Sequence, residues 1–171
     1  MGLRLSPAPS ASATRRHALV ESPIGPLALV EEDGALAALS VEGARQGPVP
    51  DSFGARDDDV LPHVREQLDA YFAGRLREFD ADVVLHGTPF QVRVWNALAR
   101  VPYGTTGTYG QLARTIGAPR AAQAVGAANG RNPVSLLVPC HRIIGANGRL
   151  TGYAGGMARK EYLLRLEGAL L

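Results

Sequence analysis

Thr108-Tyr109-Gly110-Gln111-Leu112-Ala113-Arg114-Thr115-Ile116-Gly117-Ala118-Pro119-Arg120-Ala121-Ala122-Gln123-Ala124-Val125-Gly126-Ala127-Ala128-Asn129-Gly130 is the stretch that decides how this chain folds. Thr108 with Gln111 three residues later is a capping box, in which side chain and backbone exchange hydrogen bonds at a helix start. It predicts a short helix through Leu112 to Ile116, stopped by Gly117 in a left-handed conformation. Pro119 is expected to open the next helix, from about Arg120 to Gly130. Two short helices across a tight glycine turn spell a helix-turn-helix. The second helix is slim, with small residues at 121, 122, 124, 126, 127, 128 and 130. A helix that reads base edges carries long polar side chains. This one lets its backbone come close to a narrow groove or to a neighbouring helix, and both readings stand at this point.

Downstream, residues 132–139 form an apolar, strand-like segment that delivers Cys140 to the start of a turn. Residues 145–156 are glycine-rich loops, and a last helix is expected over about 157–167 with Leu163, Leu164 and Leu166 inward. Upstream, Thr88-Pro89-Phe90-Gln91 is another capping box. Its helix carries Val94, Trp95 and Leu98 and ends near Pro102, with Trp95 in the core. Residues 60–73 place Val60, Val64, Leu68, Tyr71 and Phe72 on one helical face. Residues 17–41 read as strands joined at Asp33-Gly34, a hairpin signal. Residues 43–58 read as a loop, and Val83-Val84-Leu85 as a short strand or the entry to the next unit. The expected fold class is α+β: a flexible tail over 1–16, a small α/β domain over 17–85, and a mostly helical domain with the helix-turn-helix over 86–171.

Charge divides at the same place. Residues 1–85 carry 8 Lys/Arg and 14 Asp/Glu, residues 86–171 carry 10 and 2, so the halves have formal charges of −6 and +8. A basic half with a helix-turn-helix suits a polyanion such as DNA, because cationic side chains release its condensed counterions. No apolar run is long enough to span a membrane, and the stretch from Met1 to His17 has no signal-peptide core. No membrane partner is expected, and the default location is the cytoplasm.

Cys140 is the only cysteine, so no internal disulfide forms, and one Cys with four dispersed His does not make a zinc site. No metal is expected, and His17, His63 and His86 are ordinary histidines. Chemistry at sulfur belongs to Cys140 in Pro139-Cys140-His141-Arg142. A thiol is nucleophilic only as its thiolate, and an imidazole within reach can take the proton. A turn after Pro139 can bring His141 and Cys140 together. The imidazole then needs a carboxylate to orient it, and residues 86–171 offer only Glu161 and Glu167.

These residues carry a resemblance. Residues 88–168 resemble the catalytic domain of the O6-alkylguanine-DNA alkyltransferases, also called methylated-DNA–protein-cysteine methyltransferases. The matching segments are Thr88-Pro89-Phe90-Gln91, Val94-Trp95, Val101-Pro102-Tyr103-Gly104, Tyr109-Gly110-Gln111-Leu112-Ala113, Ala124-Val125-Gly126-Ala127-Ala128-Asn129 and Asn132-Pro133. After them come the signature Val138-Pro139-Cys140-His141-Arg142-Ile143-Ile144-Gly145, then Gly152-Tyr153-Ala154-Gly155-Gly156 and Leu163-Leu164-Arg165-Leu166-Glu167-Gly168. The first half would correspond to the family's RNase H-like N-terminal domain.

The resemblance implies roles. Cys140 would accept the alkyl group, His141 would be its base through a water, and Glu167 would orient His141. Asn132 would hold the active-site turn together, and Tyr109 would contact the flipped guanine. Tyr153 would wall the alkyl pocket, and the backbone of Cys140, Ile143 and Ala154 would read the guanine edge. The second helix of the helix-turn-helix would lie in the minor groove of double-stranded DNA, sequence-independently, with Ala121, Ala122 and Gly126 against it. The implied activity is single-turnover transfer from O6-alkylguanine, with O4-alkylthymine as a further substrate, without cofactor and with cooperative self-association on DNA. One position departs: Gln123 stands where the family usually has an Arg that replaces the flipped base, and Arg120 would compensate through a phosphate. Three rivals remain: a silent lesion sensor, a cysteine hydrolase of acyl substrates, and a sequence-specific DNA-binding regulator.

Overall fold

The computed structural model describes residues 2–8, 13–44 and 50–170. The chain begins with β1 (Leu3–Pro7), β2 (Arg15–Val20), β3 (Leu27–Glu32), β4 (Ala35–Val41) and β5 (Ala55–Arg56). Then come α1 (Pro62–Phe72) and β6 (Ala81–Leu85). These strands make one sheet in the order β1-β6-β4-β3-β2-β5. The turn between β3 and β4 has Asp33 at φ 49° and Gly34 at φ 87°. Two successive positive φ values match the twist of the flanking strands, so the expected hairpin forms there. Val64, Leu68 and Tyr71 of α1 are buried with Leu29, Leu39 and Val83 of the sheet in one continuous core.

Two expectations for this half are corrected. Neither residues 3–7 nor Arg15 and Arg16 belong to a flexible tail: β1 pairs in parallel with β6, Leu3 with Ala81 through Pro7 with Leu85, and β2 pairs with β3 from Arg15 onward. Leu3 and Leu5 pack on the core, and Arg4 pairs with Asp80 at 2.6 Å and with Asp82. Residues 9–12 of the tail reading lie outside the described residues, as do 45–49 of the loop expected over 43–58. Within that loop, β5 forms and adds to the sheet edge in parallel with β2.

The second half contains α2 (Pro89–Leu98), β7 (Gly107–Thr108), α3 (Tyr109–Thr115), α4 (Ala122–Gly130), β8 (Ile143–Ile144) and α5 (Met157–Leu166). Both capping boxes are present. Thr88 Oγ1 accepts from Gln91 N–H at 3.1 Å and Gln91 Oε1 from Thr88 N–H at 3.0 Å; Thr108 and Gln111 repeat this at 3.1 and 2.9 Å. Such a cap contributes about 1 kcal/mol to helix stability. Gly117 has φ 77° after α3, as a left-handed stop requires. Pro119 does not open α4. It sits in a turn closed by Ala121 N–H to Ala118 O at 2.9 Å, and α4 starts at Ala122 with no side-chain cap.

Residues 132–139 are not a strand either. Only Val134 bridges the sheet, beside Leu39, and Leu136 has φ 72°. Leu39 N–H donates to Pro133 O at 2.9 Å and Ser135 N–H to Leu39 O at 3.2 Å, so β4 grips this looped segment by its backbone. The segment runs from there into a tight 3-10 turn, Cys140–Arg142. No helix among the described residues is long and apolar enough to cross a membrane.

Candidate active site

Cys140 opens the 3-10 turn at 4% exposure, with His141 and Arg142 beside it and also buried. Asn132 shapes the approach. Its Nδ2 donates to Val138 O at 2.6 Å, and its Oδ1 accepts from Val134 N–H at 3.0 Å. One amide side chain thus closes the loop that presents the cysteine. Asn129 of α4 reaches the same turn, with Nδ2 donating to Cys140 O at 3.4 Å.

The carboxylate that meets His141 is Glu167, at the C-cap of α5, while Glu161 pairs with Arg165 on the exposed face of the same helix. His141 Nε2 lies 2.8 Å from Glu167 Oε2. Arg142 grips both oxygens, Nε to Oε1 at 2.9 Å and Nη2 to Oε2 at 3.0 Å, and the Tyr71 hydroxyl donates to Oε2 at 2.6 Å. Burial alone would raise the Glu167 carboxyl, but the hydrogen bonds and charges of His141 and Arg142 overcome it and bring it down to about 2. An ionised Glu167 only accepts, so His141 Nε2 carries a hydrogen. The Nδ1 lone pair is then left free, and that nitrogen is buried without a partner among the described residues. Burial lowers the His141 pKa, partly opposed by Glu167, so the ring is a neutral imidazole that can accept a proton.

Burial likewise raises the Cys140 thiol, and hydrogen bonding from Asn132 together with the Lys160 charge offset this only in part. At rest the turn holds a protonated thiol and, at the next residue, a neutral imidazole. Lys160 of α5 is fully buried. Its ammonium donates to Ile143 O, to Thr151 O at 2.6 Å and to Gly152 O at 3.5 Å. Burial pulls it down to about 8, and the nearby Cys140 acts in the opposite direction.

Tyr153 is half-buried against the core, and its hydroxyl is sequestered without a partner among the described residues. Ile143 is buried, and Ala154 lies next to Tyr153 in the glycine-rich loop. Tyr109 starts α3, its ring within 3.5 Å of where a Cβ on Gly126 would stand, and its hydroxyl accepts from Thr151 Oγ1 at 3.2 Å. A Cβ at Gly126 would make only ordinary van der Waals contact with that ring, so the approach of α4 to Tyr109 does not require a glycine. Gln123 and Arg120 are exposed and Ala121 and Ala122 half-exposed at the start of α4. Of the residues expected at the site, His141 and Glu167 are hydrogen-bonded, Asn132 closes the loop that leads to Cys140, Tyr153, Ile143 and Ala154 follow the turn, and Tyr109 with the residues of α4 lies toward the surface.

Sequence reasoning missed Arg142, Tyr71, Asn129 and Lys160. Arg142 lay inside the signature but received no role, and Tyr71 carried no local signal beyond its apolar helical face. Lys160 did carry one: of the 18 cationic residues it is the only lysine, and a compact ammonium, unlike a planar guanidinium, fits a cage of carbonyls.

The buried pair sets an expectation for acid stability. The unfolded imidazole titrates near 6.5 and takes up a proton that folded His141 resists, so stability falls as pH drops through that value. Glu167 contributes fully above its ordinary 4.5, and that contribution is lost as pH falls toward about 2. The urea midpoint is therefore expected to decline steadily from about pH 7 to about pH 4. A midpoint flat over the upper half of that range would show that folding does not suppress His141 protonation.

Residues 89–169 match the family model for the 6-O-methylguanine DNA methyltransferase DNA-binding domain, and residues 16–85 match its ribonuclease-like domain. A Methanosarcina acetivorans methylated-DNA–protein-cysteine methyltransferase is 50% identical over 90% of this chain and 98% of its own length. A Mycobacterium tuberculosis protein of the same name is 52% identical over 86% and 89%. A crystal structure of Mycobacterium tuberculosis OGT in complex with DNA superposes with a TM-score of 0.84 at 47% identity, covering 90% of this chain and 93% of that one. By sequence over nearly its whole length and by fold, the chain belongs to the 6-O-methylguanine DNA methyltransferase family.

Proposed function

We propose that this chain repairs DNA by direct reversal, taking the alkyl group of O6-alkylguanine onto Cys140 in a single turnover. The observation that carries the reading is a buried cysteine whose neighbour in the turn, His141, is locked by Glu167 into the tautomer that can act as a base. Proton transfer runs from the Cys140 thiol through one water to His141. The thiolate attacks the alkyl carbon in line, the C–O6 bond breaks, and the departing guanine takes a proton from Tyr109. The product is a thioether, which has no easy hydrolytic exit, so each molecule acts once and needs no cofactor. O4-alkylthymine presents the same bond type and is a second substrate of the same site.

A thiol at 4% exposure cannot meet a base inside a duplex, so the target nucleotide is flipped out. Tyr153, Ile143 and Ala154 receive it. The slim face of α4, with Ala121, Ala122 and Gly126, enters the minor groove without reading sequence. Its uncapped N-terminus and Arg120 face phosphate there. The work divides into a supporting α/β unit through residue 85 and a DNA-binding catalytic unit from 86, in a cytoplasmic protein. The opposed charges of the halves, −6 and +8, support side-by-side self-association on DNA.

The test is a titration: duplex carrying O6-methylguanine in excess over protein, with repaired lesion counted. Repair is expected to stop at one lesion per chain, and continued turnover would overturn the single-use reading. Gln123 has a further consequence, because a neutral side chain makes a weaker hydrogen bond to the orphaned cytosine than a charged one. Gln123→Arg is expected to raise lesion affinity and repair rate about fivefold, the worth of roughly 1 kcal/mol between neutral and charge-assisted hydrogen bonds. Unchanged affinity and rate would show that extrusion does not depend on charge at this position.

A further inference from the structure

The Tyr71 hydroxyl comes from α1, in the part of the chain that matches the ribonuclease-like domain, yet it ends on the carboxylate that holds His141. Tyr71 has no exposed surface, and its ring packs edge-on to Phe72 and Tyr103 and tilted against Phe79. Packing needs only the ring. The hydroxyl makes a 2.6 Å bond to Oε2, the same oxygen that accepts from His141.

We propose that Tyr71 is a positioning residue for the Cys140 chemistry, its hydroxyl sharing the negative charge of Glu167 so that His141 stays neutral and keeps its Nδ1 lone pair available. The inference rests on the proposed role of His141 as the base for Cys140.

The physical argument concerns how strongly a carboxylate attracts a proton to the imidazole beside it. A bare buried carboxylate would hold His141 as an imidazolium, which cannot take a proton from a thiol. Each donor to Glu167 spreads its charge and weakens that pull. The groups that face it are Arg142 and His141 from the 3-10 turn and Tyr71 from α1. Behind them lie Tyr103, stacked under both Arg77 and Arg142, and Lys160 on α5. Arg142 adds a full charge and, with His141, keeps Glu167 ionised. Tyr71 adds a neutral donor on the oxygen that His141 uses, so it trims the pull on His141. The sheet half of the chain thereby contributes an atom to the site's proton balance as well as a scaffold.

The experiment titrates His141 directly, by nitrogen-15 NMR of labelled imidazole in the full chain, alongside the single-turnover transfer rate across pH. Tyr71→Phe keeps the ring and removes the hydroxyl. It is expected to raise the His141 titration by about one unit, the worth of one hydrogen bond. The acid limb of the rate profile should move up by the same unit, slowing transfer up to tenfold where His141 is protonated in both forms and leaving it unchanged near pH 8. DNA affinity should not change. Tyr103→Phe, whose hydroxyl donates to the Leu166 carbonyl at 3.4 Å, should leave the titration in place. Should Tyr71→Phe fail to fold, 3-fluorotyrosine placed at 71 keeps the hydroxyl and strengthens its donation, and the His141 titration is expected to move down. A His141 titration unmoved by either change, with only thermal stability altered, would overturn the proposal. Because the titration is read without any transfer, a chain inactive toward alkylated DNA would sink the functional reading separately.

Discussion

Cys140→Ala is expected to abolish alkyl transfer while leaving binding to lesion-bearing duplex intact. The sulfur is the only atom in the chain that can form a stable thioether, since no second cysteine exists. The surfaces proposed to meet DNA, on α4 and at Tyr109, lie outside the 3-10 turn and do not need the thiol. Removing one buried sulfur costs about 1 kcal/mol, too little to unfold a domain of this size. The change therefore separates chemistry from recognition: gel shift with O6-methylguanine duplex should persist while the lesion remains. Residual transfer would mean that another nucleophile serves. Loss of binding together with transfer would mean that the thiol itself holds the flipped base. The same variant discriminates between rivals, because a lesion sensor or a sequence-specific regulator would be indifferent to it.

Glu167→Gln is expected to have the second largest effect, on rate and on stability together. The amide keeps the size of the side chain, and its oxygen can still accept from His141 Nε2, Arg142 Nη2 and the Tyr71 hydroxyl, but it carries no charge. The imidazolium that forms when His141 takes the thiol proton then loses the anion that stabilises it. A comparable swap of the orienting carboxylate in a Ser-His-Asp triad costs about 10⁴ in rate, so a loss of about 10²–10⁴ is the expected range. Stability falls for a separate reason. Arg142 has a side chain 8% exposed and pairs with Glu167 through two of its nitrogens. Taking away the charge leaves a buried guanidinium without its counter-ion, a loss of about 3–5 kcal/mol. Single-turnover kinetics and urea unfolding measure the two effects. A variant that unfolds like the parent but transfers slowly would mean that Arg142 finds another anion; a variant that transfers normally would remove His141 from the mechanism.

What the sequence revealed and what it hid follow from the range of the interactions. Thr88 with Gln91, Thr108 with Gln111, and Asp33 with Gly34 act over three residues or fewer, and all three formed as expected. The pairing of His141 with Glu167 was legible only through the resemblance, because the residues by themselves left Glu161 and Glu167 both open. β1 was hidden because Ser, Pro and Ala dominate the residues after it, and its pairing lies on β6, far along the chain. Pro119 misled because proline suits both the first turn of a helix and the second position of a β-turn, and tertiary packing chose the turn. The hold of β4 on residues 133–135 uses backbone atoms only, which leave no mark on side-chain pattern. Tyr71 was read correctly as core, but nothing in a helical stripe says where a phenol hydroxyl ends.

The most direct test of the account is intact-protein and peptide mass spectrometry after mixing the chain with duplex DNA containing O6-methylguanine. The expected result is a single methyl-sized gain, saturating at one per molecule and located on the peptide that holds Cys140. Tight lesion binding without any gain would contradict the account and leave the chain a sensor of alkylated DNA.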